Sequence, residues 1–418
     1  MSKCMIKKIA ISCFISTFFC LQLIPVYATT NQDLYNEAMA FEKASDYTTA
    51  VETMAELLKL EPKNDVYLAY ASHVERLAGD FKKGLEHSLA AIKINSKVGW
   101  YYVSAVLNAY GEGDIEKVKK YGKKVITLGS KKVGADNYTS VQNILKNIAD
   151  REYNITWTLN PTQGYKKNNL YYVPLPSTGL PYQTATYLIA GNKNLKAIKE
   201  NGNDIYYFST ATPLTITANV DIKYYSFKSL LDKYKDSGKL PLDVKQFLGT
   251  SEGIKPKSKV IQNILVDLKT SNKLETIKNI LTWMKENITY KIEDYHTVEE
   301  IIDRGYGECG GYSALFTALA RGAGIPARIV WGVIEDPTPD HQFAPEGHLK
   351  GHAWAEFYLT GIGWVPVEPQ DISTLGRLPT SYIRMYHYDM KGKRWSSINY
   401  HASNNMGSMG GDTPEFEY

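Results

Sequence analysis

The chain shows three successive patterns of hydrophobic and polar positions, and the first of them predicts helices. Between residues 31 and 150, the pairs Asp46-Tyr47, Asp80-Phe81 and Asp114-Ile115 recur every 34 residues, and the apolar positions around them keep helical spacing. Self-similarity at this period is typical of stacked helix-turn-helix units, in which each unit buries its apolar face against its neighbours. We therefore predict a helical repeat array over residues 31–150.

The second pattern consists of short runs rich in β-branched and aromatic residues. The runs NITWTLN, TATYLIAG and LTITANVDIKYY are separated by Gly, Pro and Asn. Such runs are typical of antiparallel strands, because β-branched and aromatic side chains pack well on a pleated surface. We predict a β-sandwich-like domain over residues 151–230 and a connection over residues 231–258.

The third pattern mixes helical spacing with strict alternation. Apolar residues from Tyr312 to Ala320 follow helical spacing and predict a helix over about residues 310–321. The alternating runs Ala353–Leu359 and Trp364–Val367 flank the sequence TGIG and predict a β-hairpin. Together these elements predict an α+β domain over residues 259–400, and the predicted fold class of the whole chain is multidomain α+β.

Both ends of the chain have compositions of their own. Residues 1–28 combine three lysines with an uncharged apolar run and end in the small-residue pattern VYA. This arrangement predicts a secretory signal peptide cleaved after Ala28 and hence a secreted or extracytoplasmic protein, with an uncleaved membrane anchor as the alternative. Residues 401–418 are rich in Gly, Ser, Asn and Met, and we predict a flexible tail there.

Cysteine content and net charge limit the covalent links and the kinds of partner that the chain can have. Of the four cysteines, three lie in the predicted leader, so the processed chain keeps only Cys309 and cannot form an internal disulfide. The formal net charge of +4 falls to +1 once the three leader lysines are removed. A nearly neutral chain offers no electrostatic basis for binding nucleic acid, and we predict no nucleic-acid partner.

Cys309 has the sequence surroundings of a reactive thiol. It precedes the predicted helix, and the helix N-terminus favours an anion, which predicts a lowered thiol pKa. Gly307, Gly310 and Gly311 leave the sulfur unshielded and let a substrate backbone approach. The alternative is a passive, packed cysteine, which does not require these surroundings.

The predicted hairpin also provides a base for the thiol and a carboxylate for the base. In an antiparallel pair, the numbers of opposite residues have a constant sum; His352 and Glu368 sum to 720, which centres the turn on residue 360. We therefore predict that these two side chains lie opposite each other or nearly so, on the same face of the ribbon. Asp371 is the alternative carboxylate.

Two segments together resemble a known family. The residues GECGGYSALFTALARGAGIPARIVWG and GHAWAEFYLTGIGWVPVEPQ resemble the transglutaminase-like superfamily over about residues 270–372. That resemblance implies a papain-like core with a Cys-His-Asp triad: Cys309 as nucleophile, His352 as general base and acid, and Glu368 where the family usually has Asp. The 34-residue period in turn resembles the tetratricopeptide repeat.

Together with the predicted leader, the resemblance implies an exported thiol enzyme that acts on amide bonds through a Cys309 acyl-enzyme. It is either a peptidase or amidase, or a protein-glutamine acyltransferase, and its partner is a protein or peptide substrate such as a cell-wall peptide. Trp283 or Tyr290 is a candidate to help shape the oxyanion site. The alternative is a binding or assembly protein, in which the repeats hold a protein partner and the thiol domain is a scaffold.

No cofactor or metal is predicted. His341, His348 and His352 lie close together in sequence beside Asp340 and Glu346, which invites a zinc site. A loop lacks the fixed ligand geometry that zinc requires, and His352 already serves the thiol. Arg328 and Glu356 are strand charges that we expect to pair or to face water.

Overall fold

A computed structural model describes most of the chain beyond the predicted leader, residues 1–28, which lie outside the described residues. The described residues are 30–159, 171–189, 198–200, 202–208, 214–236, 238–251, 253–292, 297–335, 349–388, 400–404 and 407–408. Within these ranges, no helix is both long enough and apolar enough to cross a bilayer.

The N-terminal part of the protein is a helical array. Its helices are α1 (Asn31–Lys43), α2 (Tyr47–Leu60), α3 (Asp65–Leu77), α4 (Phe81–Ile94), α5 (Gly99–Glu112), α6 (Ile115–Leu128), α7 (Ser130–Val133) and α8 (Ala135–Asn147). The recurring aspartates cap the second helix of each repeat: Asp46, Asp80 and Asp114 each accept a hydrogen bond from a backbone N–H three residues on. The 34-residue period is therefore a repeat of helix starts.

Strands and short helices make up the rest of the described chain. In chain order they are β1 (Arg151–Leu159), β2 (Tyr171–Pro174), β3 (Gln183–Ile189), β4 (Ile198–Glu200), β5 (Asn203–Phe208), β6 (Leu214–Ile222), α9 (Lys228–Leu231), α10 (Leu242–Lys245), α11 (Lys259–Leu268), α12 (Lys273–Asn287), β7 (Thr289–Tyr290), α13 (Val298–Arg304), β8 (Tyr306–Gly307), α14 (Cys309–Gly322), β9 (Ala327–Glu335), β10 (Leu349–Leu359), β11 (Gly363–Val367), β12 (Tyr382–Tyr388), β13 (Tyr400–Asn404) and β14 (Gly407–Ser408). Short 3₁₀ helices cover Gln246–Leu248 and Ile372–Thr374.

The middle of the chain forms two antiparallel sheets. One has the strand order β14-β13-β1-β6-β3 and the other the order β2-β5-β4. Their apolar side chains share one buried cluster with Val333, Leu349 and Ile383, which belong to β9, β10 and β12. The sandwich-like region is thus packed against the C-terminal sheet through a common core.

The described part of the predicted flexible tail, residues 401–418, forms strands, whereas residues 405–406 and 409–418 lie outside the described residues. Residues 401–404 continue β13, which pairs with β1 through Trp157 opposite Ala402, and β14 pairs with β13 in turn. The backbone of β1 would otherwise present an unpaired edge, and any extended segment can supply the missing hydrogen bonds. Composition favoured a coil because this pairing depends on the backbone and not on the side chains.

Residues 231–258, predicted as a connection, contribute to the C-terminal core. Ile254 is 2% exposed and belongs to the same buried cluster as α12 and α14. Phe247 is also buried, and its ring meets Trp364 edge-on at 5.0 Å between centroids. The segment is short of regular structure, but its apolar side chains are part of the packing.

The C-terminal part consists of the sheet β11-β10-β9-β12 with α14 packed against it. Phe316 of α14 and Phe357 of β10 are both fully buried, with ring centroids 6.2 Å apart. A helical array, antiparallel sheets and this mixed C-terminal region confirm the predicted multidomain α+β class. The packing fixes α14 relative to β10, and those two elements bear the residues of interest.

A buried charge cluster joins the middle sheets to the C-terminal sheet. Glu356 lies 2.6 Å from the Arg328 guanidinium and 3.0 Å from that of Arg384, and it accepts a hydrogen bond from the Tyr182 hydroxyl at 3.3 Å. All three charged residues are at most 7% exposed. We expected Arg328 and Glu356 to pair or to face water. They form a buried pair, and Arg384 is a third member of the cluster.

The helical array is attached to the C-terminal part by several contacts. The Arg377 guanidinium stacks over the Tyr110 ring at 4.4 Å and also donates to the Tyr110 carbonyl. The Thr380 hydroxyl donates to the carbonyl of Ala149 at 2.6 Å. The helical array is therefore packed against the C-terminal part of the same chain.

Candidate active site

Cys309 is the first residue of α14. The preceding residue, Glu308, is the N-cap: its carboxylate accepts from the backbone N–H groups of Gly310 at 2.7 Å and Gly311 at 2.9 Å. Upstream, β8 pairs with β7 in parallel, which fixes the approach of the chain to the helix. The helix thus begins where the sequence predicted it to within one residue.

The thiol donates a hydrogen bond to Glu308 Oε2 at 3.1 Å. The backbone N–H of Ala353, the residue after His352, lowers the pKa of the thiol. The start of α14 and the strand that carries His352 therefore act on the same sulfur. Cys309 is partly buried among the residues of the C-terminal core.

The pKa of Cys309 is raised, whereas the sequence predicted that it would be lowered. Burial raises the pKa of the thiol, and the neighbouring carboxylate of Glu308 raises it further; the N–H of Ala353 opposes this, and the resulting pKa is about 12. The helix N-terminus favours an anion as expected, but Glu308 is already that anion. The predicted lowering was wrong because the sequence alone did not show which group would cap the helix.

His352 and Glu368 are in contact, but not through the predicted register. In the hairpin, Ala355 lies opposite Val367, so paired numbers sum to 722 and not to 720. His352 instead lies opposite Gly332 of β9, while Glu368 follows the end of β11. His352 Nε2 is nevertheless 2.5 Å from Glu368 Oε2, because a diagonal neighbour in a β-ribbon is within reach of a long side chain.

Several groups hold the Glu368 carboxylate in place. The Tyr382 hydroxyl donates to Oε2 at 3.3 Å, and the Gln370 side chain donates to Oε1 at 3.3 Å. The backbone N–H of Glu368 donates to the Thr374 hydroxyl at 2.8 Å. Glu368 is only 5% exposed, so the imidazole contact occurs in a site largely shielded from water.

Asp371, the alternative carboxylate, has a different position. It is exposed, and its side chain caps the 3₁₀ helix 372–374 by accepting from the backbone N–H of Ser373 at 2.9 Å. The structure thus brings Glu368 to the imidazole and leaves Asp371 in a turn on the surface.

Aromatic side chains surround the imidazole and the thiol. Tyr382 meets the His352 ring edge-on at 5.5 Å, and Trp354 stacks near it at 6.3 Å. Burial raises the pKa of Tyr290, with smaller contributions from Cys309, Glu308 and Glu368, which places its phenol near the thiol. Of the two aromatic residues suggested by sequence, Trp283 packs against the hydrophobic core instead.

Tyr382 is a site residue that the sequence did not indicate. It lies on β12, which pairs with β9 on the far side of the sheet from the hairpin, so no local spacing connects it to His352. Burial and the Glu368 carboxylate together raise its pKa, so the phenol remains a hydrogen-bond donor.

Most residues of the suggested zinc site lie outside the part of the chain that the structure describes. His341, His348, Asp340 and Glu346 lie outside the described residues. Within the described ranges, no group of three or more His, Cys, Asp or Glu side chains is arranged to hold a metal ion. His352 is engaged by Glu368 through Nε2.

Comparison with known proteins gives a family match in the C-terminal part of the chain and one relative over about half of it. Residues 262–369 match the model of the transglutaminase-like superfamily. An uncharacterized protein of Haemophilus influenzae is 26% identical over 263 residues, which cover 54% of this chain and 69% of that one.

Two solved structures resemble parts of the chain. A protein of Cytophaga hutchinsonii that is provisionally named a cysteine protease is 16% identical with a TM-score of 0.40, over 65% of this chain and 96% of that one. The tetratricopeptide-repeat domain of Sgt2 from Aspergillus fumigatus is 17% identical with a TM-score of 0.26, over 28% of this chain and 80% of that one.

Proposed function

Because residues 262–369 form a transglutaminase-like domain, we propose that the protein is a cysteine-dependent enzyme that acts on amide bonds. In this proposal Cys309 is the nucleophile, His352 the general base and acid, and Glu368 the group that orients the imidazole. The observation that carries it is the 2.5 Å contact between His352 Nε2 and Glu368 Oε2, on a strand whose next backbone N–H, that of Ala353, lowers the pKa of the Cys309 thiol.

The proposed chemistry begins at the thiol. As the Cys309 sulfur bonds to the amide carbon, its proton passes to His352 and the carbonyl π electrons move to oxygen. The imidazolium then returns the proton to the departing amine, and a thioester remains on Cys309. Glu368 stabilises the imidazolium through Nε2, which leaves Nδ1 as the ring nitrogen that exchanges the proton.

The developing oxyanion needs a hydrogen-bond donor near the sulfur. Glu308 already accepts from the N–H groups of Gly310 and Gly311. We assign the role to the backbone N–H of Cys309 itself, with the Tyr290 phenol as a neighbouring donor.

Water or an amine then resolves the thioester. With water the enzyme is a peptidase or amidase, and with a lysine amine it is a protein-glutamine acyltransferase. We favour hydrolysis because water is always present at high concentration. The proposed address is extracytoplasmic, the proposed substrate is a protein or peptide such as a cell-wall peptide, and the helical repeats are the proposed surface for a protein partner.

The experiment that tests this proposal follows two products at once. The purified protein is incubated with a glutamine-containing peptide and a primary amine, and both ammonia release and amine incorporation are measured. Incorporation indicates transfer, and ammonia alone indicates hydrolysis. Cys309→Ala is the control and is expected to abolish both products while the circular dichroism spectrum stays unchanged.

The same experiment can also contradict the proposed thiol mechanism. If the wild-type protein and Cys309→Ala release the same amounts across a panel of peptide amides, the thiol mechanism is wrong. The alternative of a scaffold that binds a protein partner then becomes the better description. It has support of its own in the contacts by which Arg377 ties the helical array to the thiol domain.

A further inference from the structure

Glu308 is held rigidly beside the thiol. Its Oε2 accepts from the Gly310 N–H at 2.7 Å and from the Cys309 thiol at 3.1 Å, while its Oε1 accepts from the Gly311 N–H at 2.9 Å. The same carboxylate therefore caps α14 and accepts a hydrogen bond from the thiol. The two backbone N–H groups prevent it from turning away without uncapping the helix.

A thiolate at this position would meet a negative charge that is already present. The positive end of the helix dipole favours a thiolate in other enzymes. In this protein the Glu308 carboxylate is the anion that occupies the helix N-terminus. Like charges this close in a partly buried site disfavour ionisation of the second group. The raised pKa of Cys309 agrees with this geometry, and Glu308 is its largest cause after burial.

The other titratable groups around the sulfur do not offset the repulsion between a Cys309 thiolate and the Glu308 carboxylate. Glu368 raises the pKa of Cys309 further, and Tyr290 and Tyr382 are neutral donors whose own pKa values are raised. His352 is the group that can bear a compensating positive charge, and Glu368 already balances it. The titratable groups that act on the sulfur are thus Glu308 from the start of α14, Tyr290 from β7, Glu368 after β11 and Tyr382 from β12, and His352 of β10 contacts Glu368.

We propose that Glu308 is a positioning residue that keeps Cys309 as a neutral thiol in the resting enzyme, so that the proton leaves only as the sulfur attacks. This inference rests on the proposed function. The Sγ–H bond breaks while the bond from sulfur to the carbonyl carbon forms, His352 takes the proton, and the carbonyl oxygen takes the π electron pair. The resting site differs from a preformed thiolate–imidazolium pair, and a protonated thiol is also slow to oxidise.

The first test uses the wild-type full chain and needs no substrate. Iodoacetamide alkylation of Cys309 is measured against pH, and mass spectrometry of the peptide that contains Cys309 excludes the three other cysteines. We expect slow alkylation at neutral pH and a rate that still rises above the range near pH 8.5 in which a free thiol ionises. A plateau of fast alkylation near neutral pH would overturn the proposal.

The second test changes the charge and keeps the cap. Glu308→Gln retains an oxygen that can accept from the helix N–H groups but has no charge. We expect alkylation at neutral pH to rise about tenfold or more, which corresponds to one pKa unit. The matched control is Asp80→Asn, which neutralises the N-cap of α4 in the helical array and should leave the profile of Cys309 unchanged.

The outcomes separate this proposal from the proposed function. An unchanged alkylation profile in a folded Glu308→Gln protein overturns the role of Glu308, whether or not the enzyme turns over amides. If turnover is present, the normal solvent isotope effect expected for kcat/KM of the wild-type protein should diminish in Glu308→Gln. If the wild-type protein shows no amide turnover, only the proposed function is refuted, because the alkylation profile does not depend on turnover.

Discussion

The His352 imidazole and the Glu368 carboxylate meet at 2.5 Å between Nε2 and Oε2, although they are not opposite each other in the hairpin. Glu368 follows the last paired residue of β11, Val367, and it reaches back diagonally across the ribbon. Aspartate at this position would be one methylene shorter. The additional length of glutamate therefore matches the register of this hairpin.

The first prediction concerns that contact. Glu368→Gln should leave the fold unchanged but lower kcat/KM by on the order of 10⁴, because the amide favours the wrong imidazole tautomer and cannot stabilise the imidazolium. Glu368→Asp should retain measurable activity, since it keeps the charge but shortens the reach. Steady-state kinetics of the purified variants provide the measurement.

Asp371→Asn is the matched control for this prediction. It removes a carboxylate three residues away that caps a 3₁₀ turn on the surface, so its activity should remain near wild type. If Asp371→Asn proves crippling and Glu368→Gln silent, Asp371 is the group that orients His352.

The second prediction concerns Gly332, which lies opposite His352 in the sheet. A Cβ at this position would lie 2.2 Å from the Ile383 carbonyl oxygen and 2.4 Å from the Trp354 ring. Gly332→Ala should therefore displace β12 or Trp354, destabilise the protein by about 1–3 kcal/mol and reduce activity by about 10²-fold through the imidazole. Thermal unfolding and kinetics together would measure both effects.

Gly351→Ala is the control for that substitution. Gly351 immediately precedes His352 on β10, and a Cβ there would meet no atom within 4 Å. Stability and activity should stay close to wild type. Equal losses in both variants would mean that the close approach at Gly332 does not matter to the site.

The third prediction concerns the buried cluster around Glu356. Glu356→Gln leaves Arg328 and Arg384 buried without their shared counter-charge, and it should lower the free energy of unfolding by about 3–5 kcal/mol. Denaturant unfolding would measure the loss. The control, Glu275→Gln, breaks a half-exposed pair with Lys278 and should cost less than about 1 kcal/mol.

The same cluster predicts the response to acid. Burial alone would raise the pKa of Glu356, but Arg384 and Arg328 lower it to about 2. Because the folded pKa lies below the unfolded value, this contribution is fully present above the ordinary carboxyl pKa and is lost as the pH falls towards 2. Glu356→Gln should therefore flatten the stability curve in that acidic range, and an unchanged curve would contradict the assignment.

Local periodicity determined much of this protein. The 34-residue spacing of aspartates, the helix that starts at Cys309 and the hairpin after His352 were all predicted because helix caps and strand alternation are properties of neighbouring residues. The family resemblance depended on contiguous segments, and the match over residues 262–369 confirms it.

The tertiary structure decided what neighbouring residues cannot encode. The hairpin register depended on the turn and on packing against β9, and the strand β13 depended on an open edge about 240 residues earlier in the chain. Tyr382 reached Glu368 from another strand of the sheet. The thiol pKa was misjudged because it depends on burial and on which anion occupies the helix start. Electrostatic energy is set by distances through space, and those distances exist only after the chain has folded.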